Sequence, residues 1–169
     1  MSEPDVRDEG KGSDGSSRDR PSAFDQAVKL LARRTHFRAE IEAKLRKRSY
    51  PALEIETAVA RLEELGYLDD QAAAREYVRL NRERKGWGRA RLRAELLRRG
   101  VSDAAVAGAL GDLTDEGERE LARREVERWR SSRSDDPRRL ARRLERKGFA
   151  GRVIVSVLEE AGVDLFSSD

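Results

Sequence analysis

Groups able to change protonation or hold a metal near neutral pH are scarce in this chain of 169 residues, which has one histidine, His36, and no cysteine. His36 lies in "RRTHFRAE" and reads as a surface histidine beside a helix cap rather than a catalytic base. Four adjacent acid pairs, Glu63-Glu64, Asp69-Asp70, Asp135-Asp136 and Glu159-Glu160, invite comparison with the paired carboxylates of metal-dependent nucleases. Neighbours on a helix point about 100° apart, so a pair within one element is poorly placed to chelate one ion. Two of the pairs fall at helix starts, where acids cap free N–H groups and complement the helix dipole. The stretch "KGWGRARLRAEL" from Lys85 is glycine-rich but lacks the lysine and hydroxyl of a phosphate-binding loop. The expectation is a protein without catalysis, metal or cofactor, acting through charge and shape.

The charge is concentrated on arginine. Arg82, Arg84 and Lys85 precede the glycines around Trp87, and Arg89 and Arg93 follow them. If Leu92 and Leu96 form a buried seam, Arg91 and Arg98 lie seven apart on the opposite, outward face of that helix. Arg139 and Arg146 repeat this arrangement further along, joined by Arg142, Arg143 and Lys147, whereas the corresponding residues near the start are Glu40 and Lys47. A basic stripe recurring on successive units suits a surface that tracks a long polyanion or a filament coated on one. The plainer alternative is a set of solvated helical faces paired at i, i+4. Trp87, held between Gly86 and Gly88, either tucks back over adjacent helices or stands out as an anchor for a partner.

These side chains are carried by helices. From Ala23 onward the apolar residues recur at helical spacing, and only Val153-Ile154-Val155 resembles a strand. The segments 41–62, 92–113 and 140–161 superpose without gaps. Ile41, Leu92 and Leu140 correspond, as do Leu45, Leu96 and Leu144; Tyr50, Val101 and Phe149; Ile55, Val106 and Ile154; and Val59, Leu110 and Leu158. The offsets of 51 and 48 residues fit a three-helix unit repeated three times. Each middle helix breaks at Ser49, Gly100 or Gly148, where a left-handed residue can end a helix. A preceding helix completes each unit through Ala27 and Leu30, Val78 and Asn81, and Ala122, Val126 and Trp129. The spacing predicts helices at roughly 23–34, 38–48, 52–65, 69–85, 88–99, 102–112, 115–132, 135–147 and 150–162. The units are expected at 23–66, 67–113 and 114–163, with a short tail at 164–169.

Composition bounds the setting. Charged residues make up 41% and hydrophobic ones 37%, too lean for one thick core. The first 22 residues carry six acids and four bases with almost nothing apolar, and are expected to be disordered. The formal net charge of +3 therefore conceals about +5 on the remainder. The absence of cysteine, of a long apolar run and of a secretion-type start points to the reducing cytoplasm, with no membrane contact.

Three motifs resemble, in order and spacing, the signatures of the RecX family of bacterial recombinase regulators. They are "LLARRTHFRAEIEAKL" from Leu30, "GYLDDQAAAREYV" from Gly66 and "GRARLRAELLRRGV" from Gly88. Together they cover nearly everything after the tail. Phe37 stands where that family often has a capping serine, Ala72 and Ala73 replace its usual arginine and phenylalanine, and Leu92 and Arg99 replace isoleucine and lysine. The resemblance implies an all-α array of three tandem three-helix units, elongated and curved. It also implies a monomeric modulator that lies in the groove of the RecA–single-stranded DNA filament. Such a modulator suppresses ATP hydrolysis, strand exchange and filament growth during recombinational repair and the SOS response. Direct binding of single-stranded or duplex DNA by the helix–turn–helix pairs remains the alternative reading, and a helical scaffold for another protein a third.

Overall fold

The computed structural model describes residues 20–131 and 136–163, so the acidic residues 1–19, Asp135 and the tail 164–169 lie outside the described residues. Among the described residues there are nine helices and no strands: α1 (Ala23–Leu31), α2 (Arg38–Arg46), α3 (Ala52–Glu64), α4 (Asp70–Lys85), α5 (Arg89–Arg98), α6 (Asp103–Leu110), α7 (Asp115–Arg130), α8 (Pro137–Lys147) and α9 (Gly151–Glu160). Several helices start at a side chain that caps them. Asp69 accepts from the N–H groups of Gln71 and Ala72, Ser102 from Ala105, Thr114 from Gly117, and Asp136 from Arg138 and Arg139. The first helix ends at Leu31, three residues short of the expectation, because Arg33 N–H turns in to the Leu30 carbonyl.

All fifteen residues of the superposed apolar pattern are buried. They divide into three clusters, one around Ile41, Leu45 and Leu62, one around Leu92, Leu96 and Val106, and one around Leu140, Leu144 and Leu158. In each group of three helices the first packs along the third, α1 on α3, α4 on α6 and α7 on α9. Ala23, Ala74 and Ala122 extend the repeat by one further position, each completely buried, where a small side chain lets the helices approach.

The breaks between second and third helices have a common backbone geometry. Ser49, Gly100 and Gly148 have φ of 60°, 79° and 87°. Glycine enters this left-handed region freely, whereas Ser49 occupies it at a steric cost.

Two expectations need correction. His36 is not on the surface: its side chain is 3% exposed, with Nδ1 3.1 Å from Glu40 Oε2. Burial, the largest influence, pushes its pKa below the ordinary histidine value, against the opposing Glu40 hydrogen bond. The amino-terminal tail, expected to be disordered through residue 22, is held at its last three residues. Ser22 caps α1, Tyr50 Oη donates to the Pro21 carbonyl at 2.7 Å, and the Arg20 guanidinium lies 3.7 Å from the centre of the Tyr50 ring.

Candidate partner-binding surface

The residues singled out by the sequence separate into three physical situations. The first group sits where the α4–α6 and α7–α9 units meet. Gly88 N–H donates to the Lys147 carbonyl at 2.7 Å, and Ala90 N–H to the Gly148 carbonyl at 3.1 Å. A Cβ on Gly88 would come within 2.6 Å of the Gly148 oxygen, and one on Gly148 within 2.3 Å of the Arg91 nitrogen. Gly86 takes φ of 61° to end α4, and a Cβ there would lie 2.4 Å from Glu125 Oε1. Both glycines beside the tryptophan are therefore explained by close approach of the next unit.

Trp87 tucks back. It is half-buried against the Leu92–Val106 cluster, with the Lys85 ammonium and Arg91 guanidinium each 4.3 Å from its ring centre. Arg91 is thereby removed from the outward stripe, since its guanidinium also donates to the Arg146 carbonyl at 2.8 Å. Arg89 donates to the carbonyls of Leu110 and Leu113, and Arg82 pairs with the buried Glu118 and reaches the Gly117 carbonyl. Lys147 donates to the Lys85 carbonyl at 2.6 Å and lies 2.7 Å from Glu125, which is completely buried on α7. Arg128 at 2.7 Å and Arg143 at 3.6 Å complete the shell of cations around that carboxylate, offsetting the cost of burying it. Sequence reading missed Glu118 and Glu125. Their only signal is a seven-residue spacing on the α7 face that also carries Ala122.

A second group is exposed but paired. Arg93 lies 3.3 Å from Asp103, and Arg98 lies 2.6 Å from Glu95, which Arg98 holds below the usual carboxylate pKa. Such exposed pairs add little stability, yet they neutralise local charge. Members of the acid pairs are engaged too: Asp69 caps α4 and Asp70 accepts from Arg38 N–H, while Glu63 pairs with Arg38 and Glu160 with Arg123.

The third group is the open face of α8. Arg139, Arg142 and Arg146 are exposed, and their side chains have no ion-pair partner among the described residues. Arg138, which the sequence reading left out, shares this property. Arg138 and Arg142, Arg139 and Arg143, and Arg142 and Arg146 are four apart and repel, each pair costing about 0.2–0.5 kcal/mol. A concentrated field of this kind is suited to phosphates or carboxylates of a partner.

The three-helix grouping has counterparts in known proteins. Models of the first and second three-helix domains of RecX match residues 23–62 and 69–110. The crystal structure of RecX from Lactobacillus salivarius superposes with a TM-score of 0.74 over 83% of this chain and 94% of that one, at 23% identity, which speaks for the fold. Regulatory protein RecX of Geobacillus kaustophilus (strain HTA426) is 34% identical over 145 residues, covering 83% of this chain but only 54% of that protein, so this chain spans about half its length. Regulatory protein RecX of Mycobacterium sp. (strain JLS) is 31% identical over 164 residues, 92% of this chain and 90% of that protein. With the repeat register, the buried pattern and a relative matched over 90% of its length in agreement, this chain belongs to the RecX family of regulatory proteins.

Proposed function

We propose that the protein is a non-catalytic modulator of the RecA recombinase, binding the RecA–single-stranded DNA filament in its groove and suppressing ATP hydrolysis, strand exchange and filament growth. Family membership supports the regulatory role. The observation that carries the reading for this chain is the α8 face, where Arg139, Arg142 and Arg146 keep their charge unneutralised. In this proposal those residues and Arg143 make the primary contact, with Arg93 and Arg98 released from their acids on binding. Arg82, Lys85, Trp87, Arg89, Arg91 and Lys147 act mainly by fixing where α8 sits relative to α5. Among the described residues no helix is long and apolar enough to cross a membrane, and the reading places the protein in the cytoplasm.

The test is ATP hydrolysis by RecA from the same organism on single-stranded DNA, with substoichiometric amounts of this protein. Strong inhibition is expected, and the triple reversal R139E/R142E/R146E should weaken it at least tenfold while leaving helix content unchanged. No inhibition by the native chain would remove the proposal.

The same arginines favour direct DNA binding as the second reading. It requires affinity for bare DNA equal to that for recombinase-coated strands, with a steep loss as salt rises.

A further inference from the structure

The junctions inside the array follow a rule, and the two ends of the array break it in complementary ways. Where one unit follows another, the carboxyl end of the later unit's middle helix sits on the amino end of the earlier unit's middle helix. Between α5 and α8, the carbonyls of Lys147 and Gly148 accept from Gly88 and Ala90 N–H groups. An acid from the first turn of the later unit's first helix then caps the N–H at the start of the earlier middle helix. Asp70 accepts from Arg38 N–H at 2.7 Å, and Glu118 from Arg89 N–H at 3.2 Å. Asp70 and Glu118 are equivalent in the repeat, as are Arg38 and Arg89.

At the first end no unit precedes α1–α3 among the described residues, so the carbonyls of Arg48 and Ser49, equivalents of Lys147 and Gly148, meet no middle helix there. The Arg20 guanidinium donates to both, at 3.4 Å to Ser49 and more closely to Arg48. It supplies from one side chain the two donors that Gly88 and Ala90 supply at the junction of the second and third units. Ser49 also has a Cβ where Gly100 and Gly148 have none, and a Cβ at those positions would lie 2.5 and 2.3 Å from the preceding unit.

At the last end no unit follows α7–α9 among the described residues, and the start of α8 is altered at two successive positions. Asp136 replaces Gly88, with a side chain where the next unit's carbonyl would come to 2.6 Å. Its Oδ1 accepts at 2.9 Å from Arg138 N–H, the equivalent of Ala90 N–H. Pro137 replaces Arg89 and has no N–H for an incoming acid to cap.

We propose that Arg20 and Ser49 at one end, and Asp136 and Pro137 at the other, close the array against a second copy of this chain. Each end reproduces with its own side chain the hydrogen-bonding partner that a neighbouring unit would bring. Left open, the ends are complementary by the internal rule, and a head-to-tail contact that does not close on itself would grow into chains.

The experiment opens each end separately: R20A/S49G frees the first and D136G/P137A the last. Sedimentation equilibrium should show each variant alone, and the native chain, making no complex through these ends up to about 100 μM. An equimolar mixture of the two variants should shift to twice the 19.2 kDa protomer mass. Circular dichroism and thermal melts confirm that each is folded. Should R20A/S49G lose helix content, R20M/S49G serves, since methionine keeps an apolar side chain over the Tyr50 ring while removing both donors, and glycine at φ of 60° relieves strain. A folded mixture that stays at protomer mass overturns the proposal, as does head-to-tail assembly of the native chain.

Discussion

The two junctions of the array share a register and differ in what fills it. At the first, between the α1–α3 and α4–α6 units, contact is made by side chains. Phe37 inserts into the cluster of the second unit, edge-on to Tyr77 at 6.2 Å, and Arg99 lies 4.8 Å from the Tyr77 ring and 3.1 Å from Glu40. At the second, between α5 and α8, backbone meets backbone through Gly88 and Gly148, and a buried carboxylate, Glu125, gathers the flanking cations. His36 and Trp87 are equivalent in the repeat, as are Glu40 and Arg91, so one i, i+4 position carries a hydrogen-bonded pair in one unit and a stacked cation in the next. A side-chain junction can be retuned by compensating exchanges. Phe37 is buried in the second unit's cluster, against which the small Ala73 also packs. A backbone junction has no such freedom.

Glycine replacement should break the comparison most severely. G148A faces both a positive φ and the Arg91 backbone at 2.3 Å, and is expected to cost about 4 kcal/mol in urea unfolding. Trimming a neighbouring side chain should not restore it. G100A faces a positive φ as well but meets only the Ala39 Cβ, a side-chain atom, at 2.5 Å, so it should cost about 2 kcal/mol and be partly rescued by A39G.

Removing the buried acid comes next. E125A leaves Lys147 without its carboxylate and should cost about 3 kcal/mol, whereas E40A, whose side chain is 19% exposed, should cost about 1 kcal/mol by the same measurement. Equal losses would mean that the two junctions are not different in kind. W87A should destabilise by about 2 kcal/mol, because the ring is half-buried and holds Arg91 in place. An unchanged urea midpoint would contradict the tucked placement.

The smallest effect is the pH dependence at the first junction. The folded state favours neutral His36, so its contribution is complete above the ordinary value of 6.5 and is lost as pH falls below it. Urea midpoints measured between about pH 7 and 5 should decline for the native chain and flatten for H36Q, with Arg34, Glu40 and Lys44 the charged groups that modulate the slope.

Much of this was legible without coordinates, and these predictions mark where legibility stopped. The helices, their three-fold register and the breaks at Ser49, Gly100 and Gly148 follow from the spacing of apolar residues and from local backbone sterics. Those causes act within a few residues, so a linear reading captures them. Which arginines are engaged is another matter. Arg91 reads as outward when only its own helix is considered, yet it is held by Arg146, 55 positions away, and Lys147 finds the Lys85 carbonyl 62 positions away. The burial of His36, the carboxylates Glu118 and Glu125, and the bare charge of α8 were settled by the packing of one unit on the next. The sequence alone determined the repeat because helical period is local, and only the tertiary structure decided which charges remain for a partner, because ion pairing depends on groups brought together across the chain.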